Sequence, residues 1–505
     1  MSLGEKANNV AFSSMLLSVA SMRKADELTI SYGAPGIELM EQAGRGVAEK
    51  IMQIFPTHTK VLVVCGPGNN GGDGFIAARI LLENSYNVMV ALLGVADDLK
   101  GDAAEAAERW AEPMFSVGEI NLEEFDVVID ALFGAGLNRP LDGEALDIVE
   151  RINAAGKVIV SVDIPSGISG DTGAISGEAV RATHTVTFAA YKPGHFLYPG
   201  AAYVGELSVV DIGISPQTIE QVHEGLFANG PGFWQEALPQ LEYGSHKYTR
   251  GHALVLSGGI TATGAARLAA RGALRIGAGL VTIAAPPVSV PIHASQLTAI
   301  MLREMASVDD LNGIIADKRF NAVVLGPALG VGNGTQELVA AVVKAGRPIV
   351  LDADALTSFA GSLDTLARLT EKTDTVVTPH EGEFFRLFNN ENEILKGFSK
   401  IERAKFAANY LKATVVLKGA DTIIAAPDGR VCINTNGTPL LATAGTGDVL
   451  AGMIGGLLAQ GMSSFEAASA AVWLHAEAAR NFGPGLIAED VPEMLPTVLH
   501  KWHVS

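Results

Sequence analysis

Cysteine is nearly missing from this chain: 505 residues hold only Cys65 and Cys432. Two distant thiols make neither a disulfide framework nor a metal cluster, and they fit a reducing cytoplasm. Aromatic residues are scarce at 6%, too few for a base-stacking nucleic-acid platform. Positive charge is short as well: 36 Lys and Arg face 55 Asp and Glu, for a net charge of -19. That balance repels a polyphosphate backbone and speaks against a nucleic-acid partner. An anionic small substrate must then be held by local donors, not by the overall field. No apolar run reaches ~18 residues, so no membrane span is expected. The short patch Met15 to Val19 follows Glu5 and Lys6 without a clear cleavage site, and reads as a helix start, not a signal peptide.

What is present is an ordinary globular composition, 48% hydrophobic and 18% charged, which excludes wholesale disorder. The length predicts two to four domains. Glycine, at 56 residues, is about 11% of the chain against a usual ~7%, as many tight turns and close ligand approaches require. In the first half, strand-like apolar runs (60–65, 87–93, 125–131 and 157–163) alternate with helical stretches such as 74–83 and 146–155, and runs at 184–189 and 207–211 close the unit. Near-continuous apolar strands separated by helices predict a parallel sheet covered on both faces. From Ile214 to Gly251 the periodicity fails, and Pro216, Gly230, Pro231, Gly232 and Pro239 punctuate what reads as a linker. A second alternating series follows: 252–256, 280–284, 322–325, 348–351, 375–377 and 414–417. It continues into a hairpin around Pro427-Asp428-Gly429 and a helical final third. The expected fold is α/β in two domains, 1–225 with a Rossmann-like three-layer parallel sheet and 226–505 with a second α/β layer structure.

Two glycine-rich stretches carry the chemistry. Gly66-Pro67-Gly68-Asn69-Asn70-Gly71 follows a strand and opens a helix, as a dinucleotide fingerprint does. Yet the next strand ends in Leu92-Leu93-Gly94 with no acid to grip a ribose, and the absence of Gly-Lys-Ser/Thr excludes a P-loop. A tight structural turn is the bland alternative. Asp130 before Phe133-Gly134-Ala135-Gly136-Leu137-Asn138-Arg139-Pro140, and Asp163 in Val162-Asp163-Ile164-Pro165-Ser166-Gly167, end two further strands. The carboxyl ends of parallel strands form the ligand crevice, so three polar loops there favour a site.

These three motifs together resemble the YjeF N-terminal family, the NAD(P)H-hydrate epimerases, over about Ser18 to Ile214. The resemblance implies that Asn69, Asn70, Gly71, Gly72 and Asp73, with Gly134 to Pro140 and Asp163, hold the hydrated dinucleotide. It also implies that Asn70, Asp130 and Ser166 supply oxygens to a potassium ion. Such a donor set suits a hard monovalent cation, whereas a soft metal wants Cys or His. Acid–base inversion at the hydrated carbon would use Asp163 or Asp73, and the sequence does not choose between them.

The second stretch, Ala444-Gly445-Thr446-Gly447-Asp448, lets backbone approach a phosphate and puts Asp448 in the first turn of a helix. As a bland alternative, Asp448 is a helix cap. Its company argues otherwise. Lys418-Gly419-Ala420-Asp421-Thr422 ends one strand, and Gly326 to Gly330, Leu351 to Asp354 and Thr378 to Glu383 end three more. His380 to Phe384 is no zincin motif, because Phe384 stands where a second His is needed.

This set resembles the ribokinase-like superfamily, specifically the YjeF C-terminal or NAD(P)H-hydrate dehydratase family, over about Gly244 to Trp502. In the resemblance Ala265, Gly330 and His380 line the hydrate pocket, and Lys418, Gly419, Ala420, Asp421, Thr422 and Gly447 contact ADP or ATP. Asp448 is the base and a hydrate contact, and magnesium accompanies the nucleotide. One departure is Glu381, where the family commonly has proline; it puts a carboxylate near the expected pocket. A cytoplasmic setting is expected from the cysteine usage, and a homo-oligomer is expected as well. Together the two resemblances imply an enzyme that repairs NADHX and NADPHX, the coenzymes hydrated at C6. One domain interconverts their epimers and the other dehydrates the S form as nucleotide is consumed and phosphate released. The competing reading is a ribokinase-like kinase of a vitamin or sugar fused to a non-catalytic dinucleotide-binding module.

Overall fold

The structure, a computed structural model, describes residues 14–240 and 243–503. The chain divides into two compact units, the first ending at Leu226 and the second starting at Phe227. Each is α/β, the class that the alternating runs imply.

The first unit is built on β1 (Lys60–Cys65), β2 (Asn87–Leu92), β3 (Met114–Ser116), β4 (Val127–Ala131), β5 (Val158–Val162), β6 (His184–Phe188) and β7 (Glu206–Val210). They lie in the order β3-β2-β1-β4-β5-β6-β7, and every pairing is parallel. Period-two alternation puts Val61, Val63 and Cys65 into one core and Leu62 and Val64 into another, which makes three layers. The strand order reverses between β1 and β4, and that switch opens a crevice at their carboxyl ends. β3 escapes the periodicity because it has three residues and an edge position, with Phe115 well exposed.

The second unit holds a sheet of ten strands: β8 (Leu226–Asn229), β9 (His252–Leu256), β10 (Leu280–Ala285), β11 (Met301–Glu304), β12 (Ala322–Leu325), β13 (Ile349–Leu351), β14 (Thr375–Val377), β15 (Thr414–Leu417), β16 (Ile423–Ala425) and β17 (Val431–Asn434). Their order is β11-β10-β9-β12-β13-β14-β15-β16-β17-β8. β9 to β15 pair in parallel, and β15-β16-β17 turn antiparallel. The order again reverses beside β9.

Two readings of the sequence need correction. The stretch 214–251 is not a bare linker: it contains a helix at Pro216–Val222, then β8, and a helical turn at Pro231–Trp234. Trp234 is buried, and its indole N–H donates to Asn229 Oδ1 at 3.2 Å. Pro216 and Pro231 sit at first helical positions, where a missing N–H costs nothing. The polar run Asn69 to Asp73 is likewise not a loop but the first turn of a helix, Asn69–Glu83. Only glycine permits this: a Cβ on Gly71 would lie 1.9 Å from Gly66 O, and one on Gly74 would lie 2.6 Å from Ala131 Cβ.

Candidate active sites

In the first unit a cavity of about 570 Å³ opens at the ends of β1, β4 and β5. Asn69, Asn70, Asp73, Gly134, Ala135, Gly136, Leu137, Asn138 and Asp163 line it. Gly71 and Gly72 do not: they face Gly66 O and Met40 Sδ in the packing beneath. Arg139 and Pro140 are exposed and also lie outside the lining.

Asp163 has φ of 65°, a conformation a non-glycine residue keeps only where its surroundings hold it. They do so here. Ala135 N donates to Oδ2 at 2.8 Å, Thr187 Oγ1 to Oδ1 at 3.0 Å, and Lys192 Nζ lies 2.8 Å from Oδ1. Burial alone would raise this carboxyl, but the Lys192 ammonium and the Ala135 amide outweigh it and hold the pKa at about 2. Asp73 behaves in the opposite way. It is buried, accepts no hydrogen bond among the described residues, and is pushed well above the carboxylate range by burial and by Asp163 and Asp26. Asp130 and Ser166 sit below the cavity, fully buried. Ser166 Oγ donates to Asp130 Oδ1 at 2.6 Å, and Ser166 N and Ser161 Oγ reach Oδ2 at 2.9 and 2.8 Å. Asn70 keeps a buried amide nitrogen without a hydrogen bond, while its Oδ1 would lie 3.0 Å from a Cβ on Gly134.

Lys192 and Asp26, both lining this cavity, escape sequence reasoning. Lys192 lies in an ordinary Tyr-Lys-Pro-Gly turn, and Asp26 lies in the amphipathic helix Val19–Ser31. The only local signal is one lysine just beyond a strand end.

In the second unit Gly445 adopts φ of 91° and caps the helix Thr446–Ala459, with Asp448 in its first turn. The helix is buried on nearly all sides and packs on the helix Thr263–Arg275, whose first turn carries Ala265. Gly452 permits the contact, since a Cβ there would lie 1.9 Å from Ala269 O. Buried His475 ties the first turn down, its Nε2 lying 2.9 Å from Thr446 O. Lys418 Nζ lies 2.8 Å from Asp352 Oδ1 and would lie 3.6 Å from a Cβ on Gly447. The structure therefore brings Lys418, Gly447 and Asp448 to one helix start. Burial would lower Lys418, but Asp352 and Glu383 raise it. Asp448 accepts no hydrogen bond among the described residues, and burial and the Asp352 charge lift it to about 6 against the pull of Lys418.

The Lys418 to Thr422 turn is tied internally, Gly419 N donating to Thr422 Oγ1 at 3.2 Å, and Asp421 pairs with Lys400. His380 caps the helix Glu381–Leu387: its Nδ1 accepts from Gly382 N and Glu383 N at 3.0 and 3.2 Å. Glu381 is exposed and meets Arg403 at 3.4 Å. Glu383 is the buried one, 3.9 Å from Lys418 Nζ. Gly330 belongs to a separate cavity of about 410 Å³ at the β9–β12 switch, whose lining includes none of Ala265, His380, Lys418 and Asp448. His475 is hidden from local sequence, and Asp352, though inside the Leu351 to Asp354 run, shows no role there, because their partners come from 29 and 66 positions away.

Each unit thus sets a lysine-paired carboxylate near a second, raised carboxyl at its strand ends, which defines a two-site α/β enzyme equipped to move protons on small ligands. The family model described as YjeF-related protein N-terminus matches residues 36–194, and that described as NAD(P)H-hydrate dehydratase matches residues 253–501. The bifunctional NAD(P)H-hydrate repair enzyme of Thermofilum pendens is 38% identical over 468 residues, covering 89% of this chain and 88% of its own. That of Moorella thermoacetica is 37% identical over 518 residues, covering 96% and 97%. Among solved structures, the ADP/ATP-dependent NAD(P)H-hydrate dehydratase of Bacillus subtilis, co-crystallised with ATP and Mg2+, is 32% identical. It covers 55% of this chain and 98% of its own, with a TM-score of 0.47. The chain belongs to the family of bifunctional NAD(P)H-hydrate repair enzymes.

Proposed function

We propose that the protein returns hydrated nicotinamide coenzymes to use, the first unit interconverting the C6 epimers and the second dehydrating the S epimer with ADP or ATP. One observation carries the reading. Asp73 and Asp448, both lifted out of the carboxylate range, stand near Asp163 and Asp352, which lysines hold at 2.8 Å.

In the first unit Asp163 is a fixed charge, since a carboxylate held at about 2 is a poor base. Asp73 is the proton carrier, because burial and the neighbouring Asp163 and Asp26 carboxylates raise its affinity for a proton. A hard monovalent cation such as potassium fits beneath the cavity. Asp130 is a fully buried carboxylate whose partners are hydroxyls and amides, with no ion pair among the described residues. Asp130, Ser166 and the Asn70 oxygen would hold the ion, which supplies positive charge beside a bound dinucleotide.

In the second unit Asp448 takes the proton of the C6 hydroxyl, and the oxygen attacks the terminal phosphoryl of the nucleotide, forming a C6–O–P linkage as the bridging P–O bond breaks and AMP leaves from ADP, or ADP from ATP. The C6–O bond then breaks with its electron pair on phosphate, the ring nitrogen stabilises the cation, and loss of a C5 proton restores the dihydropyridine. Lys418 and the amides of the helix start oppose the charge that spreads over the phosphoryl oxygens. No group of three or more His, Cys, Asp or Glu able to hold a metal occurs among the described residues, so magnesium would arrive on the phosphates, as it does where carboxylates are few. It then supplies charge neutralisation there. The scarcity of cysteine supports a cytoplasmic setting. Among the described residues no helix is long and apolar enough to cross a membrane.

The test is incubation of each hydrated NADH epimer with ADP or ATP, following dihydronicotinamide absorbance and inorganic phosphate. Stoichiometric phosphate release with recovery of absorbance is the expected result. A stable phosphorylated product without free phosphate would establish the kinase reading instead.

A further inference from the structure

The helix Val19–Ser31 precedes the residues matched by the N-terminal family model, which begin at 36. Its first turn is held firmly. Ser18 Oγ accepts from Ser21 N at 3.1 Å, and Asp171 Oδ1 accepts from Val19 N at 2.8 Å. Ala25 and Thr29 are buried on one side. Met22, Arg23, Asp26 and Ile30, spaced by three and four, line the 570 Å³ cavity on the other. Asp26 is half-buried and accepts no hydrogen bond among the described residues. The charged groups around it are Arg23 and Glu27 on its own helix, with Lys192, Asp163, Asp73 and Asp102 across the cavity.

Epimerisation at C6 needs two proton-transfer groups in opposite states. The hydroxyl proton passes to a carboxylate while the C6–N1 bond breaks, its electron pair going to N1, and N1 takes a proton from a second carboxyl. The open aldehyde turns about the C5–C6 bond, and both transfers reverse as N1 adds to the other face of the carbonyl. Nothing is oxidised or reduced. Lys192 commits Asp163 as a fixed anion, and Asp73, buried without a donor, is the proton-bearing group. The lining holds two further carboxyls, Asp26 and Asp102. Asp26, on a rigid helix and accepting no hydrogen bond among the described residues, is the one close enough to Asp73, Asp163 and Lys192 to interact with their charges.

We propose that Asp26 is a catalytic residue of the first site, the base that receives the hydroxyl proton of the hydrated nicotinamide while Asp73 serves as the acid. The assignment rests on the epimerase reading given above. Burial raises Asp26 to about 6, Lys192 drawing it down and Asp163 and Glu27 lifting it. It is therefore ionised, but still usefully basic, near neutral pH.

The test uses the full chain with R-hydrated NADH and no nucleotide, following appearance of the S epimer by chromatography, and dehydration of the S epimer separately. Asp26→Asn should lower kcat for epimerisation by about 10²–10⁴-fold with KM little changed and dehydration intact. Asp26→Glu should recover part of the loss. The rise of wild-type kcat through about pH 6 should vanish in Asp26→Asn. Asp26→Asn with near wild-type kcat overturns this assignment alone, as does a loss that appears only in KM. Equal losses in the Asn and Glu variants with lowered thermal stability mark a structural wall and also overturn it. A wild-type protein that does not interconvert the epimers overturns the epimerase reading itself, and this assignment with it.

Discussion

Lys418 Nζ lies 2.8 Å from Asp352 Oδ1, joining the ends of two strands across 66 positions of sequence. The pair takes up the cation that faces that helix start, and Asp448 is left with a raised proton affinity and no ion-pair partner among the described residues. The first unit repeats the relationship with Lys192, Asp163 and Asp73.

Asp448→Asn keeps shape and removes basicity. Dehydration should fall by about 10²–10⁴-fold while ADP or ATP still binds, as calorimetry would show. Because the carboxyl titrates at about 6, its basic form grows as pH rises. Wild-type kcat should therefore climb through about pH 6 and level off above it. Turnover near wild type in the Asn variant would reduce Asp448 to a helix cap.

Lys192→Met leaves the half-buried Asp163 without its cation. Breaking such a pair costs about 3–5 kcal/mol, read as a lowered urea midpoint for the first unit. The double variant with Asp163→Asn should recover much of that loss. Asp163 moves from 3.8 down to about 2 on folding. The folded form thus binds the proton less readily, and the pair contributes fully above pH 3.8 and loses its effect as pH falls through about 2. The gap between wild type and Lys192→Met should accordingly close in acid. A gap that widens there would contradict the ion-pair account.

A methyl at Gly71 would stand 1.9 Å from Gly66 O, so Gly71→Ala must displace the first turn of the helix that bears Asn70 and Asp73. Overpacking of this kind costs about 1–3 kcal/mol. Epimerisation should drop sharply while dehydration by the same molecules continues; equal loss of both would show a global defect.

A fragment beginning at Phe227 should fold and dehydrate the S epimer, leaving the R epimer to accumulate. One beginning at Gly244 lacks all of edge strand β8 and buried Trp234. It should melt well below the longer fragment, given that deleting a buried Trp side chain alone costs about 3–5 kcal/mol. Equal melting temperatures would mean that 227–243 contributes nothing to the second core.

Asp130→Ala removes the buried carboxylate assigned to the cation. Epimerisation by wild type should rise with potassium concentration, and the variant should lose that dependence and bind substrate weakly, with dehydration untouched. A wild-type rate indifferent to potassium would remove the ion from the account.

The sequence by itself determined the elements and where their chemistry-bearing ends lie. Runs such as Lys60 to Cys65 and Thr414 to Leu417 are strands because apolar β-branched residues fill both faces of a covered parallel sheet. Gly445 to Asp448 starts a helix because a left-handed glycine lets the chain enter it there. Both rest on interactions within a few residues, which a linear pattern records. Edge pieces such as β3 and β8 were hidden for the same reason, being too short or too proline-broken to show a period. Which carboxylate is a fixed charge and which a proton carrier was decided only by the tertiary structure. Asp73, Asp163 and Asp448 are alike as residues. Lys192 and the Ala135 amide lower one, while burial and a neighbouring like charge raise the others. Proton affinity depends on solvation and on charges brought close by the fold, and neither is written in the order of the chain.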